Sequence, residues 1–221
     1  MDIIKCSLVS SVGWLGIYKF LEYLAKKKKT TPKVEIISNK ISAIHASTTV
    51  ALMGYNYFFR NYFGANNVAY IISGGYFLYD LINLLCFKKQ KKILKTGYII
   101  HHLISFNLLY VLQNNPVYHN YSFIYGLVEL SNIPSYIVYN SIKKNKKKDK
   151  IKKEKFIQAI IYSTIRVPIM GYFGYLYTKD CLKEQSTNNK VLISSYWGLY
   201  SLGIFWSCKL WKNYYFDKKN I

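Results

Sequence analysis

Seven long apolar stretches recur along the chain, separated by short segments rich in lysine and other polar residues. They cover residues 3–24, 41–60, 67–87, 97–113, 120–142, 156–178 and 191–213. Each has the roughly 17–25 residues that a helix needs to span a bilayer core. No stretch alternates apolar and polar residues with the period of a strand. Helices are therefore expected, since they satisfy their own backbone hydrogen bonds in lipid. The predicted fold is all-α: a polytopic membrane helix bundle of about seven transmembrane helices. Pro134 and Pro168 fall inside the fifth and sixth stretches and predict kinks there. The first stretch reads as a helix and not as a cleaved leader. It is too long, lacks a small-residue cleavage site, and its lysine block follows it.

Charge then orients the helices. Of the 31 Lys and Arg residues, 24 fall in the segments after stretches one, three and five or at the end of the seventh from Lys209 on. Five fall on the opposite side, and Lys19 and Arg166 lie within stretches. By the positive-inside rule the N-terminus is lumenal or outside and the C-terminus is cytosolic. The net charge of +21 would otherwise suggest a nucleic-acid binder. Short lysine blocks between apolar runs are a poor match to a basic face on a soluble fold, so no nucleic-acid partner is expected. The blocks read as solvated anchors that meet anionic headgroups. Four cysteines without CxxC spacing predict no zinc site, and no metal is expected. Tyr55, Tyr57, Tyr76, Tyr98, Tyr172 and Tyr175 read as interfacial belts and packing.

Ionisable groups inside apolar segments are costly and mark candidate functional positions. Counting helical rise from the nearest cytosolic lysine puts His45 about 7–8 Å in, His101 about 9 Å and Asp80 about 12 Å. Three helices thus bring His45, Asp80, His101 and His102 to similar depth. Adjacent helix positions point about 100° apart, so His101 and His102 cannot both face lipid. Glu129 lies about 21 Å from the cytosolic edge and Arg166 about 16 Å. Opposite charges near the midplane are expected to be neighbours or to face a polar cavity. Ser131 and Asn132 add polar groups beside Glu129, and these four residues are candidates for substrate binding together with His45.

A histidine in a dry pocket can act as nucleophile or general base, and a carboxylate fixes its tautomer. Acyl transfer fits His101, His102 and Asp80 as catalytic residues. The cytosolic-side depth suits acyl-CoA as co-substrate, with no resident cofactor. The sequence leaves a non-catalytic alternative open, with the His pair in a structural polar network. Four histidines are too few for the multi-histidine boxes of membrane desaturases and hydroxylases.

The residues also carry a resemblance. Tyr79-Asp80-Leu81, then Ile100-His101-His102-Leu103-Ile104-Ser105, then Glu129-Leu130-Ser131-Asn132-Ile133-Pro134 resemble the TLC domain. Ser42 and His45-Ala46 resemble its start. That domain is shared by ceramide synthases, translocating-chain-associated membrane proteins and a group of small TLC-domain-containing proteins. The similarity covers residues 38–213, leaving 1–37 as a first transmembrane helix with a basic cytosolic loop and 214–221 as a short cytosolic tail. In ceramide synthases the His pair serves N-acylation of a sphingoid base, so the resemblance implies that role for His101 and His102. Two departures, Lys95-Thr96-Gly97 before the pair and a single Glu129 where ceramide synthases have two Asp, point to the small TLC-domain-containing branch. What that branch implies is a part in membrane lipid composition or sphingolipid balance. Membrane lipids are the expected partners, and a homo-oligomer is left open. Lys218-Lys219-Asn220-Ile221 resembles a dilysine retrieval signal, which points to the endoplasmic reticulum. Asn120-Tyr121-Ser122 fits a glycosylation sequon set close to the membrane.

Overall fold

The computed structural model describes residues 3–27, 34–59, 64–86, 92–114, 121–183 and 187–216, and among these no strand occurs. The helices are α1 (Ile3–Lys27), α2 (Val34–Phe59), α3 (Gly64–Cys86), α4 (Lys92–Asn114), α5 (Ser122–Lys143), α6 (Lys148–Thr164), α7 (Met170–Cys181) and α8 (Thr187–Phe216). A π-helical turn, Ile165–Ile169, joins α6 to α7 without a break. Each apolar stretch of the sequence has one helical rod, the sixth being α6, the π turn and α7 together. Asn120 of the sequon and the Lys218-Lys219 ending lie outside the described residues.

Two stretches, Asn67–Cys86 and Lys148–Cys181, are long and apolar enough to cross a membrane on length and composition alone. Thr96–Leu112 is apolar but shorter. The other helices are as long, yet their apolar character is diluted. Ser38, Asn39, Lys40, Ser42, His45, Ser47, Thr48 and Thr49 all fall within α2.

The chain forms two compact units, Met1–Gly126 and Leu127–Ile221. In the first, α3 packs against α1, α2 and α4. Small residues set the closest approach. A Cβ on Gly74 would lie 2.6 Å from Ser7 Oγ, and one on Gly75 would collide with Ser10. Such small-residue contacts let helix backbones close together where lipid offers no hydrophobic drive. The Trp14 indole N–H donates to the Ile72 carbonyl at 3.0 Å and ties α1 to α3 again.

In the second unit α8 packs along α6, the π turn and α7. Tyr196 lies against Gly174, where there is no Cβ to obstruct the ring, and its hydroxyl donates to the Met170 carbonyl at 2.7 Å. Trp197 and Trp211 donate to Thr178 Oγ1 and Ser163 Oγ at 3.0 and 2.9 Å. The two prolines behave differently. Pro168 lacks the N–H that an α-helix needs, and the ladder widens into the π turn around it. Pro134 lies inside α5, which continues to Lys143. That helix ends in a Schellman arrangement: Asn145 has φ 49°, its N–H donates to Ile142 O at 3.1 Å, and Lys146 N–H donates to Ser141 O at 3.1 Å.

Candidate functional site

Two polar clusters lie within the apolar helices, one in each unit. The first is built on one face of α3. Ser73, Tyr76, Phe77 and Asp80 stand at i, i+3, i+4 and i+7, the spacing that aligns side chains along a helix. α2 faces them with His45 and Thr49, and α4 with His101 and His102.

His102 is buried and held at both ring nitrogens. Nδ1 lies 2.7 Å from the Tyr98 carbonyl, one turn earlier in α4. Nε2 lies 3.1 Å from Asp80 Oδ2. A carbonyl can only accept, so Nδ1 carries a proton. The Nε2 contact with Asp80 is an ion pair when the imidazole carries a proton on both nitrogens. Neither nitrogen is left to attack an electrophile. His101, adjacent in sequence, turns its ring edge-on to that of His102 at 5.4 Å.

His45 is fully buried. Its Nε2 is 3.1 Å from Ser73 Oγ and 3.3 Å from Thr49 Oγ1, and the two hydroxyls are 3.2 Å apart. Its ring stacks on Tyr76 at 3.9 Å, nearly parallel. The Tyr76 hydroxyl donates to Ser42 Oγ at 2.8 Å, and Ser42 donates to the Ser38 carbonyl at 3.0 Å. Trp14 closes the stack edge-on to both rings. Phe77 stands against all three imidazoles, 5.7 Å from His45, 6.2 Å from His101 and 5.5 Å from His102.

The second cluster centres on Arg166 in the π turn. It is 2% exposed. Its Nε donates to Ser131 Oγ at 2.9 Å, and Nη2 donates to the Val128 carbonyl and Asn132 Oδ1, both at 3.2 Å. The Tyr162 ring lies 5.1 Å from the guanidinium carbon. Asn132 Nδ2 in turn donates to Glu129 Oε2 at 3.2 Å. The two charges expected near the midplane are thus joined through the Asn132 amide, which accepts from one and donates to the other.

The structure brings Asp80 to His102, and Glu129, Ser131 and Asn132 to Arg166. It adds Trp14, Thr49, Ser73, Phe77 and the Tyr98 carbonyl. The spacing along α3 could have flagged Ser73 and Phe77. Nothing in the sequence marks a backbone carbonyl. Of the tyrosines read as belts and packing, Tyr55, Tyr57, Tyr98, Tyr172 and Tyr175 are exposed, while Tyr76 is a buried part of the site.

Fold and site together define a helical protein whose apolar rods enclose ionisable side chains. A family model of the TLC domain matches residues 35–212, so the chain belongs to the TLC-domain family. All of α1 precedes the matched region, although it contributes Trp14 to the site. No curated protein and no solved structure matches the chain. Proteins of this family are membrane proteins, and membership points to a function connected with membrane lipids.

Proposed function

We propose that the chain is a multi-pass membrane protein of the small TLC-domain branch, with seven spans, a lumenal N-terminus and a cytosolic C-terminus in the endoplasmic reticulum. It acts on membrane lipid composition by acyl transfer from acyl-CoA. The exposed outer residues Val9 (74%) and Val12 (67%), set against the buried Ser7, Thr49 and Ser73, favour a lipid surround. A water-soluble fold would place these groups the other way round.

The observation that carries the catalytic reading is the commitment of His102 between the Tyr98 carbonyl and Asp80. His102 and Asp80 then hold and orient, and the reacting imidazole is His101. An amine or hydroxyl of the acceptor lipid attacks the thioester carbonyl while His101 takes its proton. The new C–N or C–O bond forms, the C–S bond breaks, and the proton leaves on the CoA thiol. In the same unit, the His45 stack offers polar groups to a lipid acceptor.

The same observation favours a second, non-catalytic reading, because a His102 satisfied on both sides also suits a structural pin. Lipid profiles of cells expressing wild type, His101→Ala and Asp80→Asn separate the two. The catalytic reading expects the profile change caused by wild type to vanish with His101→Ala at equal protein level. An unchanged profile supports the structural reading.

A further inference from the structure

The turn between α5 and α6 carries a strong positive charge in a fixed shape. Nine lysines fall within residues 143–155, against only Asp149 and Glu154. The Schellman arrangement at Asn145 sets the turn, and α6 begins at Lys148. Lys144, Lys147, Lys148, Lys150 and Lys153 are exposed. Among the described residues, none of the seven lysines between 144 and 153 makes an ion pair, although two carboxylates share the helix. Lys148 and Lys152 stand at i, i+4, and Lys150 and Lys153 at i, i+3, spacings at which like charges destabilise a helix. The hairpin therefore gathers charges that repel one another, with only Asp149 and Glu154 as opposite charges among them.

A simple topological anchor needs lysines only at the membrane edge. Here the helix reaches further. The first exposed apolar residues of α6 are Phe156, Ile157 and Ile160. Lys148 precedes Phe156 by about 12 Å of helical rise, whereas one headgroup layer is only about 5–7 Å thick. If α6 enters the bilayer at Phe156, this rise sets Lys152, Lys153 and Lys155 level with glycerol phosphates and Lys147, Lys148 and Lys150 beyond them.

We propose that the α5–α6 hairpin is a binding site for an anionic phospholipid whose phosphates project from the bilayer, of the inositol-phosphate type. The outer lysines meet the ring phosphates and the inner ones the diester phosphate. The inference rests on the membrane reading above but not on acyl transfer.

The test uses the full-length protein purified in detergent and titrated with fluorescent phosphatidylinositol phosphate, phosphatidylserine and phosphatidylcholine. Phosphatidylinositol phosphate should bind at least ten-fold more tightly than phosphatidylcholine and several-fold more tightly than phosphatidylserine. Binding should weaken several-fold from low to high salt. Lys147→Gln/Lys148→Gln/Lys150→Gln should abolish the preference, and Lys209→Gln/Lys212→Gln at the end of α8 should leave it intact. Equal retention of the two anionic lipids, or a preference that survives the triple variant, would overturn the proposal. So would displacement by equimolar CoA, which would make the occupant a soluble nucleotide. Carbonate extraction of membranes holding the same protein separates this from the earlier reading. A carbonate-resistant protein without lipid preference defeats only the hairpin site, whereas a carbonate-soluble one defeats the membrane reading itself.

Discussion

At the scale of single residues, the hydrogen bonds of His102 decide how its neighbours can change. Asp80→Asn keeps a side chain of the same size, and its amide can donate to Nε2 while Nδ1–H still serves the Tyr98 carbonyl. Asp80→Ala leaves a buried ring nitrogen without that partner, at a cost of about 1–3 kcal/mol. Thermal unfolding in detergent should therefore rank wild type and Asp80→Asn close together, with Asp80→Ala clearly below. Equal midpoints for the two variants would show that the Asp80 contact contributes no hydrogen bond to stability. The pairing itself was partly legible from depth: counting rise from Lys88 and Lys95 brought Asp80 and His102 to one level. The chain could not say which histidine Asp80 would choose, because that depends on helix rotation. Nor could it announce the Tyr98 carbonyl, since every residue has one.

At the scale of elements, the hydrophobic runs located every rod, and the polar residues within them located the two clusters. The joints were less legible. Pro168 predicted a kink, but whether a missing N–H gives a bend or a π turn depends on what the widened turn can hold. Here it holds Arg166, buried against Ser131 and Asn132. The α1–α3 contact was hidden because serine and glycine look like dilution of an apolar run until the partner helix is known. It makes a direct prediction. Gly75→Ala places a Cβ into Ser10, so the helices must separate at a cost of about 1–3 kcal/mol. Ser10→Gly removes two of the obstructing atoms, Cβ and Oγ, and leaves the backbone carbon of residue 10 at 2.8 Å. The double variant should recover part of the loss, and a double-mutant cycle on unfolding midpoints measures the coupling. Strict additivity would mean that the two positions do not meet.

For the whole molecule, charge and hydropathy disagree, and the disagreement has a physical origin. Mean hydropathy is only +0.02, and among the described residues two helical stretches are long and apolar enough to cross a membrane by length and composition. Composition counts a serine facing another helix and a serine facing lipid alike. Buried Ser7, Ser38, Ser131, Ser141 and Ser207 lower the mean hydropathy of their helices while facing other helices. Lysine placement does not suffer from this averaging, since orientation depends on which side the charges fall and not on how apolar the span is. The proposed orientation, with 24 of 31 basic residues on one side, expects an odd number of spans. A C-terminal tag should then be cleaved by protease added to sealed microsomes, while an N-terminal tag is protected until detergent is added. Protection of both tags, or cleavage of both, would mean an even number of spans. One of the seven rods would then lie in or beside the membrane, and α2, the rod most diluted by polar residues, would be the first to reassign. Protection of the C-terminal tag alone would invert the bundle. The hairpin between α5 and α6 would then face the lumen, where the Lys218-Lys219 ending could not serve as a cytosolic retrieval signal.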